Sequence, residues 1–363
     1  LVAGMKLPWQ AAMGVVFLEG VAITILVLTG FREAIMNAIP LALKQAISVG
    51  IGLFILFIGL VSGGFVKPGP PGVPMTLGDL TTAPVIVAAV GLFLTLWFQA
   101  ARVRGALLIG ILLTTIAAIV VNAATGGKAF PTPGQAVMPQ KVWALPDLST
   151  LGAGLNVEVF WRVGVVAAAV TIFSIMLSDF FDTMGTVIGI GGEAGWLDRE
   201  GKLPRLNRVL LVDSLAATAG GIAGASSATT YIESAAGVSE GAKTGLASVT
   251  TGLCFLLALF FAPVAGVVPP QATAAALIVV GYLMCKIVRE IPFGDLEEGF
   301  PALLTLTVMP FTYSITNGIG AGFIAYSFVK LVRGKGPEVH PMMYGATLAF
   351  LVYFALPWLR PLL

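Results

Sequence analysis

The chain is predicted to fold as an all-α polytopic membrane protein. Three observations carry that prediction: its composition, a series of apolar stretches of spanning length, and carboxylates placed inside those stretches. Of its 363 residues, 57% are hydrophobic and only 10% charged. Its mean hydropathy of +0.97 does not describe a soluble globular domain. The formal charge of +2 is too small to suggest nucleic-acid binding, and the basic residues are scattered in short loops. Cys254 and Cys285 both lie in apolar runs, which argues against a disulfide framework or a thiolate metal site.

A helix needs about 20 mostly apolar residues to cross a bilayer. On that criterion the spans are 9–30, 43–64, 83–101, 105–125, 160–188, 206–226, 244–268, 272–290, 299–314, 317–333 and 342–359. The chain opens with Leu1-Val2-Ala3-Gly4, within an apolar run and without Met, as a sequence lacking its N-terminal part would. Basic residues give the orientation. Arg32 and Lys44, Arg102 and Arg104, the run Arg199, Lys202, Arg205 and Arg208, then Lys243, Lys286 and Arg289, and finally Lys330, Arg333 and Lys335 fall on one side if 228–242 counts as a span. The positive-inside rule makes that side cytoplasmic. The opposite loops, 63–83 and 126–157, are long, rich in Gly and Pro, and poor in basic residues. The stretch 342–359 fits the alternation least well and reads as an added hairpin or an interfacial segment.

Gly and Pro are heavily used, at 44 and 22 residues. In membrane helices small residues let backbones approach, and breaks are tolerated where protein or a water cavity covers them. The run from Ala219 to Ser227 is such a tightly packed helix end. Ala228-Thr229-Thr230-Tyr231-Ile232 then reads as a short extended piece leading into a half-helix that starts near Glu233. That half-helix aims its free N–H groups and positive dipole end at a bound ligand. A weak echo between Asn37-Ala38-Ile39-Pro40 and Gly266-Val267-Val268-Pro269 hints at an internal repeat.

The carboxylates carry the chemistry. Ionisable groups inside a membrane are costly and usually mark a substrate or proton pathway. On a helix Asp179, Asp182 and Thr186 fall at spacings of three and four and share one face, flanked by Ser178 and Thr183. Two close carboxylates in a dry site do not both ionise easily, so one is a candidate proton carrier. The plainer alternative is that both only tie their helix to hydroxyls of its neighbours. Glu233, beside the hydroxyls of Thr229, Thr230, Tyr231 and Ser234, offers paired hydrogen bonds to a planar heterocycle. An inorganic anion would ask for Arg or Lys, which these segments lack, and a metal would need clustered oxygen or imidazole ligands. The one histidine, His340, lies in a loop. Glu19, a further acid within a span, is either a second coupling group or a residue facing a polar crevice. The Gly189-Ile190-Gly191-Gly192 run lacks the spacing of a dinucleotide loop.

Four ordered motifs, Asp179-Phe180-Phe181-Asp182-Thr183-Met184-Gly185-Thr186, Leu203-Pro204-Arg205-Leu206-Asn207-Arg208, Thr230-Tyr231-Ile232-Glu233-Ser234-Ala235-Ala236-Gly237 and Tyr313-Ser314-Ile315-Thr316-Asn317-Gly318-Ile319, closely resemble the adenine/guanine/hypoxanthine permeases of the azaguanine-resistance type. Those belong to the nucleobase–ascorbate transporter superfamily, and the likeness extends to about residue 345. The resemblance implies inverted seven-span repeats, fourteen spans when complete, of which spans 4 to 14 are present here and the first three mostly absent. It divides the chain into core elements at 1–30 and 157–268, gate elements at 31–156 and 269–333, and a C-terminal apolar segment at 334–363. It implies proton-coupled uptake of purine bases, with Glu233 matching the tenth-span acid that binds the base and Asp179 and Asp182 matching the paired eighth-span acids. Which aspartate touches the base stays open.

These readings make Asp179, Asp182, Thr183, Thr229, Thr230, Glu233 and Ser234 the candidate substrate-binding residues. Asp182, Asp179 and Glu19 are the candidate proton-coupling groups. The partners are a purine base, protons and membrane lipid, with a homodimer as an option; neither a cofactor nor a nucleic acid is called for. Two alternatives stand beside this one. The first is a carrier of uracil, xanthine or a small anion. The second is an intramembrane aspartyl enzyme, against which the three-residue spacing of Asp179 and Asp182 on one helix argues, since such enzymes flank a bond from separate helices.

Overall fold

Apolar runs punctuated by Gly, Pro and capping hydroxyls dictate helices, and the computed structural model, which describes residues 7–139, 141–199, 201–231 and 233–359, is mostly helical. In chain order these are α1 (Trp9–Leu28), α2 (Phe31–Ala38), α3 (Leu41–Ser62), α4 (Ala83–Ala100), α5 (Ala106–Ala124), α6 (Val159–Val163), α7 (Val165–Glu193), α8 (Leu206–Ile222), α9 (Ser234–Ser239), α10 (Gly245–Ala258), α11 (Ala262–Ala265), α12 (Pro270–Met284), α13 (Leu296–Thr312), α14 (Ile315–Val332) and α15 (Pro341–Leu359). Among the described residues eight helical segments are long and apolar enough to cross a membrane. This is a multi-pass membrane protein.

Local chemistry sets the helix ends. The Asp295 side chain accepts the Glu297 N–H at 3.0 Å to start α13, and the Ser314 hydroxyl accepts the Asn317 N–H at 3.2 Å to start α14. Both satisfy donors that a first turn leaves unpaired.

The chain packs as two units. One comprises residues 1–51, 147–232 and 286–363; the other comprises 52–146 and 233–285, the chain passing from one to the other within α3. That division follows packing, whereas core and gate describe movement, and their boundaries are drawn on different lines.

In the first unit α1 lies along α8, and small residues set the distance. A Cβ on Gly20 would stand 2.6 Å from the backbone nitrogen of Thr218, and one on Gly221 would stand 2.6 Å from that of Phe17, so only glycine allows this crossing. It places Glu19 of α1 fully inside the protein. The final helix is part of the same unit. Phe350 of α15 is completely buried, its ring 4.3 Å from that of Phe181 on α7 and 5.6 Å from that of Phe323 on α14. The stretch 342–359 is therefore packed onto this unit through Phe350, which meets aromatic rings of α7 and α14.

The second unit pairs α4 with α5 through reciprocal contacts. A Cβ on Gly91 would strike the Thr114 side chain, and one on Gly110 that of Thr95. The loop between α3 and α4 carries a feature that composition alone hides: β1 (Val66–Pro68) and β2 (Met75–Leu77) pair antiparallel, Val66 opposite Leu77. Of the segment 228–232, expected to be extended, residues 228–231 have no regular structure and Ile232 lies outside the described residues; α9 begins at Ser234, close to the half-helix start expected near Glu233.

Candidate functional site

The site is built in the first unit from α1, α2, α7, α8, α14 and the irregular segment after α8. Asp213, midway along α8, organises that segment. Its Oδ1 accepts the Thr230 N–H at 2.8 Å, the Thr230 hydroxyl at 2.9 Å and the Thr229 hydroxyl at 3.1 Å. Its Oδ2 faces an Nη of Arg32 at 3.4 Å. The Arg32 guanidinium also donates to the Phe180 carbonyl at 3.3 Å and stands 5.1 Å from the centre of the Phe180 ring. A buried pair of this kind holds only when its remaining hydrogen-bonding capacity is met, and Asp213 meets that condition four times over.

The two aspartates of α7 turn to different neighbours. The Thr316 hydroxyl of α14 donates to Asp182 at 2.8 Å and lies 2.9 Å from the Ser178 hydroxyl. A hydroxyl has one proton, so Ser178 donates to Thr316 and Thr316 to Asp182. Asp179 instead accepts the Ser227 hydroxyl at 3.2 Å, and one turn on, Thr183 meets Thr229 at 2.7 Å. The single face expected for Asp179 and Asp182 is thus two adjacent stripes, 178 and 182 toward α14, 179 and 183 toward the segment after α8. Residues three apart on a helix differ by about 60° in direction, which suffices to reach separate partners. Thr186 donates to the Thr183 carbonyl of its own helix at 3.0 Å.

The same proton arithmetic defines what the threonines can offer. Thr229 and Thr230 spend their hydroxyl protons on Asp213, and Thr183 spends its own on Thr229, so each retains only acceptor lone pairs for a ligand. Glu233 and Ser234 open α9 in the second unit, both exposed.

Unmet atoms mark the remaining polar groups. Both carboxyl oxygens of Glu19, Oδ2 of Asp179 and Nε of Arg32 are buried without a hydrogen-bond partner among the described residues. The charges of Asp213, Asp179 and Glu19 all act on Arg32. This part of the protein therefore gathers three carboxyls, Glu19, Asp179 and Asp213, around one arginine, with Asp182 held beside them by Thr316.

Two residues of this site, Arg32 and Asp213, do not follow from the motifs. Arg32 and Lys44 count as loop charges when orientation is read from sequence, yet both side chains are buried, and Lys44 donates to the Gly201 carbonyl at 2.9 Å. The absence of arginine from the acidic segments is offset by Arg32, which arrives from α2. Asp213 lies in the 206–226 stretch, and an acid within a span was the available signal for it.

A model of the family described as Permease family matches residues 2–321. A guanine/hypoxanthine permease of Bacillus subtilis (strain 168) is 40% identical over 348 residues, which cover 95% of this chain and 76% of that protein. An adenine permease of Escherichia coli (strain K12) is 36% identical over 352 residues, covering 97% of this chain and 76% of that protein. Among solved structures, the transmembrane domain of a cyanobacterium bicarbonate transporter, BicA, superposes with a TM-score of 0.52 at 14% identity, covering 86% of this chain and 76% of that one; this likeness concerns the fold alone. Matched over most of its length by the family model and by these relatives, the chain belongs to the Permease family.

Proposed function

We propose that this permease takes up purine nucleobases together with protons, by alternating access across the cytoplasmic membrane. The observation that carries the reading is the charge balance of the site: three carboxyls stand about one arginine that is already engaged by Asp213, and a fourth, Asp182, lies on the same helix as Asp179. Such a site suits a neutral ligand rich in N–H donors and a cotransported proton; it repels a small anion. The names of the relatives, guanine/hypoxanthine and adenine permease, point to the same substrate class.

In this reading Glu233 and one α7 aspartate accept hydrogen bonds from the N–H edge of the base. The other aspartate exchanges a proton, and its protonation state sets whether the loaded carrier reorients. Core elements at 1–30 and 157–268 move against gate elements at 31–156 and 269–333. Glu233→Gln, which replaces an acceptor-only group by an amide, abolishes saturable purine binding; unchanged binding would remove Glu233 from the site.

The test is uptake of radiolabelled adenine, guanine, hypoxanthine and uracil by the full-length protein in cells lacking their own purine carriers, with and without a protonophore. Uptake of purines that the protonophore abolishes supports the reading. Uptake of uracil alone, or of no base by folded protein in the membrane, overturns it.

A further inference from the structure

We infer that Glu19 and Asp179 form a proton-sharing carboxyl pair beside Ser227, with Arg32 as its fixed counter-charge, and that the coupled proton resides on this pair. The inference rests on the proposed symport and goes beyond it by assigning the proton to a site where α1, α7 and the segment after α8 meet.

The geometry carries the assignment. Glu19 is wholly buried in this structure, at the α1–α8 crossing that Gly20 sets. Neither of its oxygens has a partner at hydrogen-bond distance, nor has Asp179 Oδ2, and the one hydroxyl close enough to act on both carboxyls, that of Ser227, is donated to Asp179 Oδ1. Two ionised carboxyls in that state would leave three bare acceptors in a dry interior. One proton changes the count: a neutral Glu19 becomes a donor, with Asp179 Oδ2 and the Ser227 oxygen as acceptors in its neighbourhood.

Their contacts set Glu19 and Asp179 apart from the other two acids. Asp179 of α7 and Arg32 of α2 act on Glu19, and Asp213 of α8 and Arg32 act on Asp179. Asp213 is saturated by its donors, and Asp182 is served by Thr316. Of the other elements against α1, the turn Ala153–Leu155 carries no ionisable side chain, and Arg162 of α6 pairs with Glu158 at 3.1 Å. In each cycle a proton from water forms an O–H bond on the pair and returns to water on the opposite side; no other bond forms or breaks.

The experiment uses full-length protein in proteoliposomes under an imposed pH gradient, with hypoxanthine as probe. Native protein accumulates it. Glu19→Gln, a permanent mimic of the neutral acid, still exchanges labelled for unlabelled hypoxanthine but no longer accumulates it, while Glu19→Asp accumulates it with a displaced pH profile. Accumulation by Glu19→Gln equal to native would overturn the pairing. Should Glu19→Gln fail to fold, Ser227→Ala decides: the pH profile of uptake moves if Ser227 serves the pair, and a profile superimposable on native defeats the inference. Native protein that shows exchange but no pH-driven accumulation instead defeats the symport reading.

Discussion

Asp213 and Glu19 sit on the two most intimately packed helices of the site, α8 and α1, both nearly inaccessible, yet they are opposites. Asp213 accepts three hydrogen bonds on one oxygen and faces Arg32 with the other; Glu19 accepts none. A buried carboxyl that is fully served is scaffold, because its charge is satisfied in one arrangement and lost in any other. One left without donors can change protonation without dismantling its surroundings. The contrast separates the parts of the site that hold shape from those that can carry a proton.

The most severe way to break the contrast is to strip Asp213 of its partner. Arg32→Ala leaves a buried charge uncompensated and should cost about 3–5 kcal/mol, read as a collapse of the thermal unfolding midpoint in detergent; a midpoint near native would mean the pair bears no load. Next is the crossing that isolates Glu19. Gly20→Val forces α1 away from Thr218 and should cost roughly 1–3 kcal/mol, with uptake falling even where folded protein is recovered. Thr316→Val deprives Asp182 of its donor at a cost of about 1.5 kcal/mol. Because Asp182 is held by α14 and not by the Ser227 side, the pH profile of uptake should stay where it is; a displaced profile would merge the two stripes of α7. Glu19→Gln should change stability least, by less than about 1 kcal/mol, since no hydrogen bond is lost, although its effect on coupling is the largest of the four.

Much of this organisation is legible in the residues themselves. Apolar length locates eight of the eleven expected spans, whereas 206–226, 299–314 and 342–359 fall on helices outside those eight; the Asp179-to-Thr186 motif marks the helix that bears the site, and the small-residue run before Ala228 marks where α8 ends. What escapes is pairing across distance. Arg32 and Asp213 meet over 181 positions, and Thr316 reaches Asp182 over 134; no local periodicity links such residues. The same gap explains the misplacement of Arg32 and Lys44, since a cation beside a helix end looks like a loop charge until a carbonyl or carboxylate is found to bury it. The place of α15 was hidden for a related reason: only the ring of Phe350 against Phe181 shows which face it packs.

Joint movement of purine and proton is read from the luminal pH of proteoliposomes containing the full-length protein when hypoxanthine is added outside at matched pH. The account predicts acidification of the lumen that depends on the substrate and is absent from protein-free vesicles. Hypoxanthine entering at a measurable rate with no change in luminal pH would contradict it.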